Sequence, residues 1–293
     1  MPFSLDAAAF NPLPRRRFAL RVPRFAHWAF GDMVGTSLLI VVVVIALIGP
    51  VLTPYQATVP SGGAFLVPGS PQHLLGTDDL GYDVFTRVLV GLRTSLFAAL
   101  AVTIGSAIFG MILGTLSGFL GGWVDSVLMR VTDLFLALPA TIVAMAIAAG
   151  LGPSLSSSMI GIAIVWWPLY ARVVRGEVRR VATSLHVQAA RMSGTRGIPL
   201  VVRHIMPTVL PTVVVTSSLD IGGVIMTLAS LAFIGLGTPA PAPELGLMAS
   251  SGLQFVLNAW WVAIMPAAAV GILALLFNYF GDAMRKALRG QGA

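Results

Sequence analysis

Long hydrophobic stretches without charge alternate along this chain with shorter polar stretches. A helix of about 20 apolar residues crosses the hydrocarbon core of a bilayer, and six stretches reach that length. They lie at 33–52, within the uncharged run 94–124, in two parts between 133 and 172, at 207–236 and at 260–281. The run from 133 to 172 is too long for one helix, and GLGPSLSSS at 150–158 predicts a turn inside it.

The composition indicates that lipid is the main solvent of the chain. Of its 293 residues, 57% are hydrophobic and 10% are charged, whereas soluble domains have about 25% charged residues. We therefore predict an all-α polytopic membrane protein with six transmembrane helices. Its predicted parts are a basic tail 1–32, a first helix 33–52, an external segment 53–93, a five-helix core 94–283 with a loop at 172–206, and a second tail 284–293.

The basic residues predict the orientation of these helices. All of the 18 Lys and Arg residues except Arg87 and Arg93 fall in the two tails and in the segments 119–130 and 172–203. Six helices bring those four regions to the same side of the membrane. Short cytoplasmic loops carry the excess of Lys and Arg in membrane proteins, so both termini and the 172–203 loop are predicted to be cytoplasmic.

An energy source is missing from the chain itself. A P-loop that binds ATP needs a lysine after its glycine-rich turn, and the only lysine is Lys286, near the C-terminus. Any ATPase that powers this protein is therefore a separate polypeptide. The chain has no Cys and its four His are scattered along the sequence, so we expect neither thiol chemistry nor a metal site.

Asp220 is the one carboxylate predicted to lie deep in a span. A charged side chain there is costly in lipid and must face protein or water. Asp220 either contacts a cationic group of a solute in a pathway or is hydrogen-bonded to a neighbouring helix. Ion-coupled carriers usually hold several such residues, which argues against a self-sufficient secondary carrier, one of two competing hypotheses. The other is a membrane scaffold or enzyme without transport.

Two further patterns predict helix contacts. Small residues recur every fourth position at Ser106, Gly110, Gly114 and Gly118, which allows another helix of this chain or of a partner to approach closely. In the 172–206 loop, the residues 183–193 predict a short helix with Thr183 or Ser184 as N-cap and with a stop at Gly194. That element suits a groove in a cytoplasmic partner or the surface of the inner leaflet.

The same loop carries a family motif. Gln188-Ala189-Ala190, then Gly194, then His204 to Pro207 resembles the EAA loop of ABC importer permeases. Four more segments resemble the peptide/nickel permease family, in the subunit type of the dipeptide permease C component; they are 73–96, 118–133, 229–237 and 277–288. Five motifs in the expected order make a chance resemblance implausible.

The resemblance implies a type I ABC importer permease fold, similar to that of MetI, in a prokaryotic cytoplasmic (inner) membrane. It implies a non-catalytic subunit that binds no cofactor and pairs with a second, homologous permease chain. Two cytoplasmic ATPases would bind ATP and Mg, and an extracytoplasmic binding protein would deliver the solute. The implied solute is a small peptide, with nickel or another small solute as the alternative. We expect lipid contacts and no nucleic-acid partner.

The resemblance also implies roles for particular residues. The predicted ATPase-coupling residues are Gln188, Ala189, Ala190, Arg191, Gly194 and Pro207. Gln188 and Leu228 stand where the family usually has Glu, which removes one charge from the coupling element and one from the fifth span.

On the opposite side, three acidic residues are candidates for contact with the binding protein. They are Asp78, Asp79 and Glu244. The alternative is that the segments holding them merely cover the ends of the helices.

Overall fold

The structure, a computed structural model, describes residues 30–289, so the tail 1–29 and the last four residues lie outside the described range. Ten α-helices account for most of the described residues. They are α1 (Phe30–Leu52), α2 (Val84–Leu120), α3 (Gly122–Ala137), α4 (Ala140–Leu151), α5 (Leu155–Ala182), α6 (Leu185–Met192), α7 (Gly197–Leu200), α8 (Met206–Phe233), α9 (Leu245–Gly252) and α10 (Trp260–Arg289). A π-turn, Val201–Ile205, joins α7 to α8.

Six membrane spans fit these helices, as the hydrophobic pattern predicts. Within residues 30–289, α1, α2, α5, α8 and α10 are each long and apolar enough to cross a bilayer. The sixth span is a pair, α3 and α4, whose axes meet at 88°. We call the end of the bundle that carries α6 the α6 face, and the end that carries α9 the α9 face.

Several helices extend beyond their predicted bounds. Helix α2 begins at Val84 instead of near 94, because the Asp83 carboxylate accepts bonds from the backbone N–H and hydroxyl of Thr86, both at 2.7 Å. Helix α5 continues past residue 172 to Ala182. Residues 122–130, predicted as part of a loop, belong to helix α3. Apolar length locates the part of a helix inside lipid, whereas caps and ion pairs decide where the helix ends.

Helices α2 and α5 pack at very close range through the small-residue stripe. A β-carbon added at Gly110 would lie 2.5 Å from the carbonyl oxygen of Trp167, and one at Gly114 would lie 2.5 Å from that of Ala171. The hydroxyl of Ser106 donates to the carbonyl of Ala163 at 3.4 Å. The stripe therefore packs within this chain, which was one of the two interpretations of the pattern.

Two apolar clusters surround this contact. The larger one joins α1, α2, α4, α5, α8, α9 and α10 and extends to the α9 face. The second, which we call the α6-side cluster, contains Ala107, Tyr170, Val174, Val178, Val181, Val187, Ala190, Leu200, Ile205, Val209 and Val213. Because it includes residues of α6 and of α2, α5 and α8, the short helix and the spans share one packed core.

The close α2–α5 contact predicts the effect of adding a methyl group. We expect Gly114→Ala to force the helices apart and to destabilise the protein by about 1–3 kcal/mol. Gly105→Ala is the matched control, since Gly105 is exposed on the same helix and has open space around its position. Thermal unfolding of the two purified variants in detergent distinguishes them, and equal midpoints would contradict the packing.

Candidate functional site

The ends of helix α6 follow the sequence prediction. Ser184 is its N-cap residue, and its hydroxyl donates to the carbonyl of Val181 instead of capping the helix. At the other end the N–H of Gly194 bonds to the carbonyl of Arg191, and the N–H of Thr195 to that of Ala190, both at 3.0 Å. This is a Schellman motif, which needs a left-handed residue at the position of Gly194, and φ there is +87°.

Helix α6 has one buried face and one exposed face. Val187 is fully buried and Ala190 is 9% exposed, both within the α6-side cluster. In contrast, Leu185 is 84% exposed and Met192 is 90% exposed. Two large apolar side chains, one at each end of α6, thus point away from the protein, whereas the opposite face of the helix is anchored.

The remaining predicted coupling residues lie on or beside this helix. Gln188, Ala189 and Arg191 are exposed, and Pro207 is half-buried in the first turn of α8. The side-chain amide of Gln188 donates to the carbonyl of Thr183 at 2.9 Å. Thr183 is the C-cap of α5, so Gln188 ties α6 to the end of the span before it. A glutamate carboxylate has no N–H with which to make that bond.

Ion pairs hold α3 against the same end of α5. Asp125 accepts from Arg175 Nε at 2.5 Å and Nη2 at 2.8 Å, from Arg179 Nη2 at 2.5 Å, and from the hydroxyl of Ser117. Farther along α3, Asp133 pairs with Arg172 at 2.5 Å. Sequence reasoning treated these arginines only as orientation signals. The four-residue spacing of Arg175 and Arg179 on one helix face was the available signal for a shared partner.

Asp220 lies midway along α8, next to Tyr170 of α5. The two side chains interact electrostatically. Among the described residues, however, neither Asp220 Oδ2 nor the Tyr170 hydroxyl has a hydrogen-bond partner, and both atoms are buried. A buried carboxylate oxygen without a partner is costly. Asp220 thus lies against a neighbouring helix with one buried oxygen that no described residue bonds, and both interpretations of this residue stay predictions.

On the α9 face, two of the three acidic docking candidates are buried. Asp78 is 8% exposed, accepts from the backbone N–H groups of Leu80 and Tyr82, and lies 3.5 Å from Arg87 Nη1. Glu244 is 5% exposed and accepts from the backbone N–H of Thr238 at 2.6 Å. In this conformation the two carboxylates are enclosed by their own chain, and contact of these residues with a binding protein stays a prediction.

Asp79 is the exposed member of the three. The two buried carboxylates, Asp78 and Glu244, instead help to hold the segment 53–83 and the loop before α9 against the ends of the helices. Burial raises the pKa of Asp78 and of Glu244 above the ordinary values of these side chains, against the opposing effect of the backbone N–H groups that they accept from and, for Asp78, of the Arg87 guanidinium.

Other contacts that sequence reasoning missed complete this cover of the α9 face. His73 Nδ1 lies 2.9 Å from Asp83 Oδ1, and each side chain is 3% exposed. The Tyr55 ring stacks on His73 with centroids 5.0 Å apart. The Trp261 indole donates to the carbonyl of Thr77 at 3.1 Å. Together they tie the external segment to the start of α10, so the α9 face presents a folded surface.

Burial of Glu244 gives a pH prediction. Since its folded-state pKa lies above that of an exposed glutamate, the folded state loses stability as pH rises from the ordinary value to the raised one. We expect Glu244→Gln, which retains an acceptor for Thr238 and removes the charge, to match or exceed the wild type at pH 8. The advantage of Glu244→Gln should vanish near pH 4, where the wild-type carboxyl is protonated.

Glu244→Ala is the contrasting variant. It leaves the Thr238 N–H without its acceptor and should cost about 1–3 kcal/mol at every pH. Thermal unfolding followed by Trp fluorescence between pH 4 and pH 8 measures both variants. Equal behaviour of the Gln and Ala variants would refute the structural role of this carboxylate.

Comparison with known proteins identifies relatives of this chain. Residues 107–290 match the family model described as "Binding-protein-dependent transport system inner membrane component". The chain is 42% identical over 252 residues to the probable D,D-dipeptide transport system permease protein DdpC of Escherichia coli K12, covering 85% of each chain. It is 38% identical over 258 residues to the dipeptide transport system permease protein DppC of Alkalihalophilus pseudofirmus, covering 87% of this chain and 84% of that one.

A solved structure shares the fold. The chain aligns with a subunit in an inward-facing structure of the MetNI methionine ABC transporter with a TM-score of 0.56 and 18% identity. The alignment covers 68% of this chain and 95% of that subunit. At this level of identity the likeness supports the fold alone.

Proposed function

Because the chain belongs to the family of binding-protein-dependent transport system inner membrane components, we propose that it is one of two permease subunits of an ATP-driven importer of small peptides. It forms half of the translocation pathway and transmits ATPase movements to it. The two-faced helix α6, with Val187 buried in the α6-side cluster and Leu185 exposed, is the observation that carries this proposal.

Peptides are the favoured solute because the relatives at 42% and 38% identity are named as D,D-dipeptide and dipeptide permeases. Peptide relatives support this solute over nickel. A self-sufficient ion-coupled carrier is disfavoured by membership in a family of transport-system components, and Asp220 by itself gives no proton relay along the spans.

The α6 face is proposed to be cytoplasmic. Arg191, Arg196 and Arg203 are exposed there, in keeping with the bias of basic residues toward the cytoplasm. On this orientation, Leu185 and Met192 enter a cleft of one of two ATPase subunits. A binding protein approaches the folded cover on the α9 face, where Asp79 remains available.

Coupling then follows from packing. Interiors at crystal-like density transmit displacement, because side chains have no free volume in which to absorb it. A movement of α6 therefore reaches Val174 and Val178 of α5 and Val209 of α8 through the α6-side cluster. Rigid-body motion of these spans, together with those of the second permease, would open the pathway on alternate sides.

The exposed apolar residues at the two ends of α6 predict which partners are lost on mutation. Affinity purification of the tagged chain from native membranes in mild detergent should recover a second permease chain and P-loop ATPases. We expect the double variant Leu185→Asp, Met192→Asp to retain the second permease and to lose at least ~90% of the ATPases, because two carboxylates would have to be desolvated in the cleft.

Leu257→Asp is the matched control, since Leu257 is 94% exposed near the α9 face. It should retain both kinds of partner. Full ATPase recovery with the double variant would refute the role of α6. A homo-oligomer without any ATPase would refute the importer function itself.

Asp220 is proposed to face the pathway, where it attracts the amino terminus of a peptide. We expect Asp220→Asn to lower dipeptide uptake about 10-fold, which corresponds to one lost charge interaction of ~1.4 kcal/mol, while subunit assembly is unchanged. Tyr170→Phe removes the hydroxyl beside Asp220 and leaves its charge, so it should retain most uptake. Equal losses in both variants would indicate that Asp220 acts only through its neighbour.

A further inference from the structure

An apolar groove lies between the last turns of α2 and the short helix α7. Its lining includes Leu116, Phe119 and Leu120 on one side and Gly197, Ile198 and Val201 on the other. Leu120 is 59% exposed and Ile198 is 78% exposed, so the groove opens toward the outside of the protein. A β-carbon added at Gly197 would meet no atom within 4 Å. The groove therefore has space for an apolar group.

The groove is the α6-face end of an apolar stripe along the outside of α2. The stripe consists of Phe97, Ile104, Ile108, Ile112, Leu116 and Leu120, each between 43% and 59% exposed. At the helical rise, Phe97 and Leu120 are about 35 Å apart, and a hydrocarbon core is about 30 Å thick. The groove thus lies where the hydrocarbon of one leaflet meets its headgroups.

Polar and aromatic residues at the two ends of the stripe support this depth. Arg93 is exposed one turn before the stripe begins. Trp123 is 76% exposed just beyond Leu120, and Trp is enriched at the boundary between a bilayer and water. Apolar surface at that boundary is costly in water, so an acyl chain that enters the groove from the hydrocarbon is favoured.

Two basic residues adjoin the groove in the chain. Arg196 directly precedes Gly197 as the N-cap residue of α7, and Arg203 follows Val201 by two residues in the π-turn. Both are exposed. Among the described residues, neither forms an ion pair with a carboxylate. Two available cations beside an apolar groove match the phosphate and the acyl chain of a phospholipid.

We propose that this groove binds an acyl chain of an anionic phospholipid, with its phosphate on Arg196 and Arg203. Basic pockets beside spans on the cytoplasmic side of a membrane bind such headgroups. The lipid site goes beyond the proposed function and takes from it only that the α6 face is cytoplasmic. Lipid is favoured over an ATPase because the stripe continues from the groove into the depth of the bilayer, which a cytoplasmic protein does not enter.

A lipid at this position would connect α2 to the coupling element. Leu200 at the end of α7 and Ile205 at the end of the π-turn are buried in the α6-side cluster, together with Val187 of α6. A molecule held between α2 and α7 therefore contacts the segment through which α6 joins α8. The anionic lipid would stabilise that segment against the end of α2.

Native mass spectrometry of the complete transporter tests this site. The delipidated complex is titrated with dioleoylphosphatidylglycerol, or with dioleoylphosphatidylcholine, which has the same chains and no net charge. We expect the wild type to bind one phosphatidylglycerol at least ~10-fold more tightly than phosphatidylcholine, because basic residues near the surface attract anionic lipid. Equal affinities for the two lipids would overturn the proposal in favour of a non-specific lipid layer.

Two variants separate the headgroup contact from the acyl-chain contact. Arg196→Gln, Arg203→Gln should lose the one tightly bound phosphatidylglycerol. Ile198→Asp, which places a carboxylate in the groove and keeps both arginines, should lose it as well. Loss in the arginine variant alone would show that the arginines bind phosphate without the chain, and this result would overturn the groove assignment.

The matched control removes the same charge elsewhere. Arg130→Gln, Arg285→Gln changes two exposed arginines of α3 and α10 and should retain the lipid. Equal loss in this control would indicate a diffuse charge effect and refute the site.

A photo-cross-linker identifies the occupant of the groove. With p-benzoylphenylalanine in place of Leu120, illumination in phosphatidylglycerol nanodiscs should attach lipid to this chain. Cross-linking instead to the second permease, to an ATPase or to residues 1–29 would overturn the proposal in favour of a protein contact.

Failure of the lipid site is distinguishable from failure of the proposed function. The partners that co-purify with each variant and its dipeptide uptake report on the importer, whereas the bound lipid reports on the groove. A working importer that binds the two lipids equally would refute the lipid site alone.

Discussion

The close contact of α2 with α5 is the constraint on which the other helices depend. Gly110 and Gly114 bring the two backbones together until no β-carbon fits between them, and lipid supplies no hydrophobic force that could replace this contact. Helix α5 then has its remaining sides available to α3, α4 and α8. The position of α5 consequently determines where Tyr170 meets Asp220 and where Arg175 meets Asp125.

The two faces of the bundle are stabilised by different polar interactions. On the α6 face, charges remain near the surface, and one carboxylate, Asp125, gathers two arginines that hold α3 to α5. On the α9 face, buried carboxylates accept from backbone N–H groups, as with Asp78 and Glu244. The first arrangement leaves exposed apolar and basic side chains around α6 for a partner. The second makes a pre-formed cover in which these two carboxylates bond to their own chain.

The protein tolerates buried polar groups without hydrogen-bond partners in the middle of the bundle as well as on the α9 face. Among the described residues, Asp220 Oδ2, the Tyr170 hydroxyl and Thr103 Oγ1 lack partners within the spans, and Arg87 Nε lacks one on the α9 face. A membrane protein retains such groups where solvent or solute can reach them. The span that carries Asp220 is thus one place where the chain departs from a fully satisfied helical bundle, and the span that bends at Pro139 departs from a straight helix.

The sequence by itself determined the all-α class, the six spans, the ends of α6 and the family, because apolar length, capping residues and ordered motifs are local properties. Ser184 and Gly194 bound α6 as their residue types predict. The tertiary structure alone decided that the glycine stripe packs on α5, that Asp78 and Glu244 are buried, and that α3 turns sharply into α4. Each of these depends on which distant residue lies opposite, and neither the spacing nor the composition of one chain carries that information.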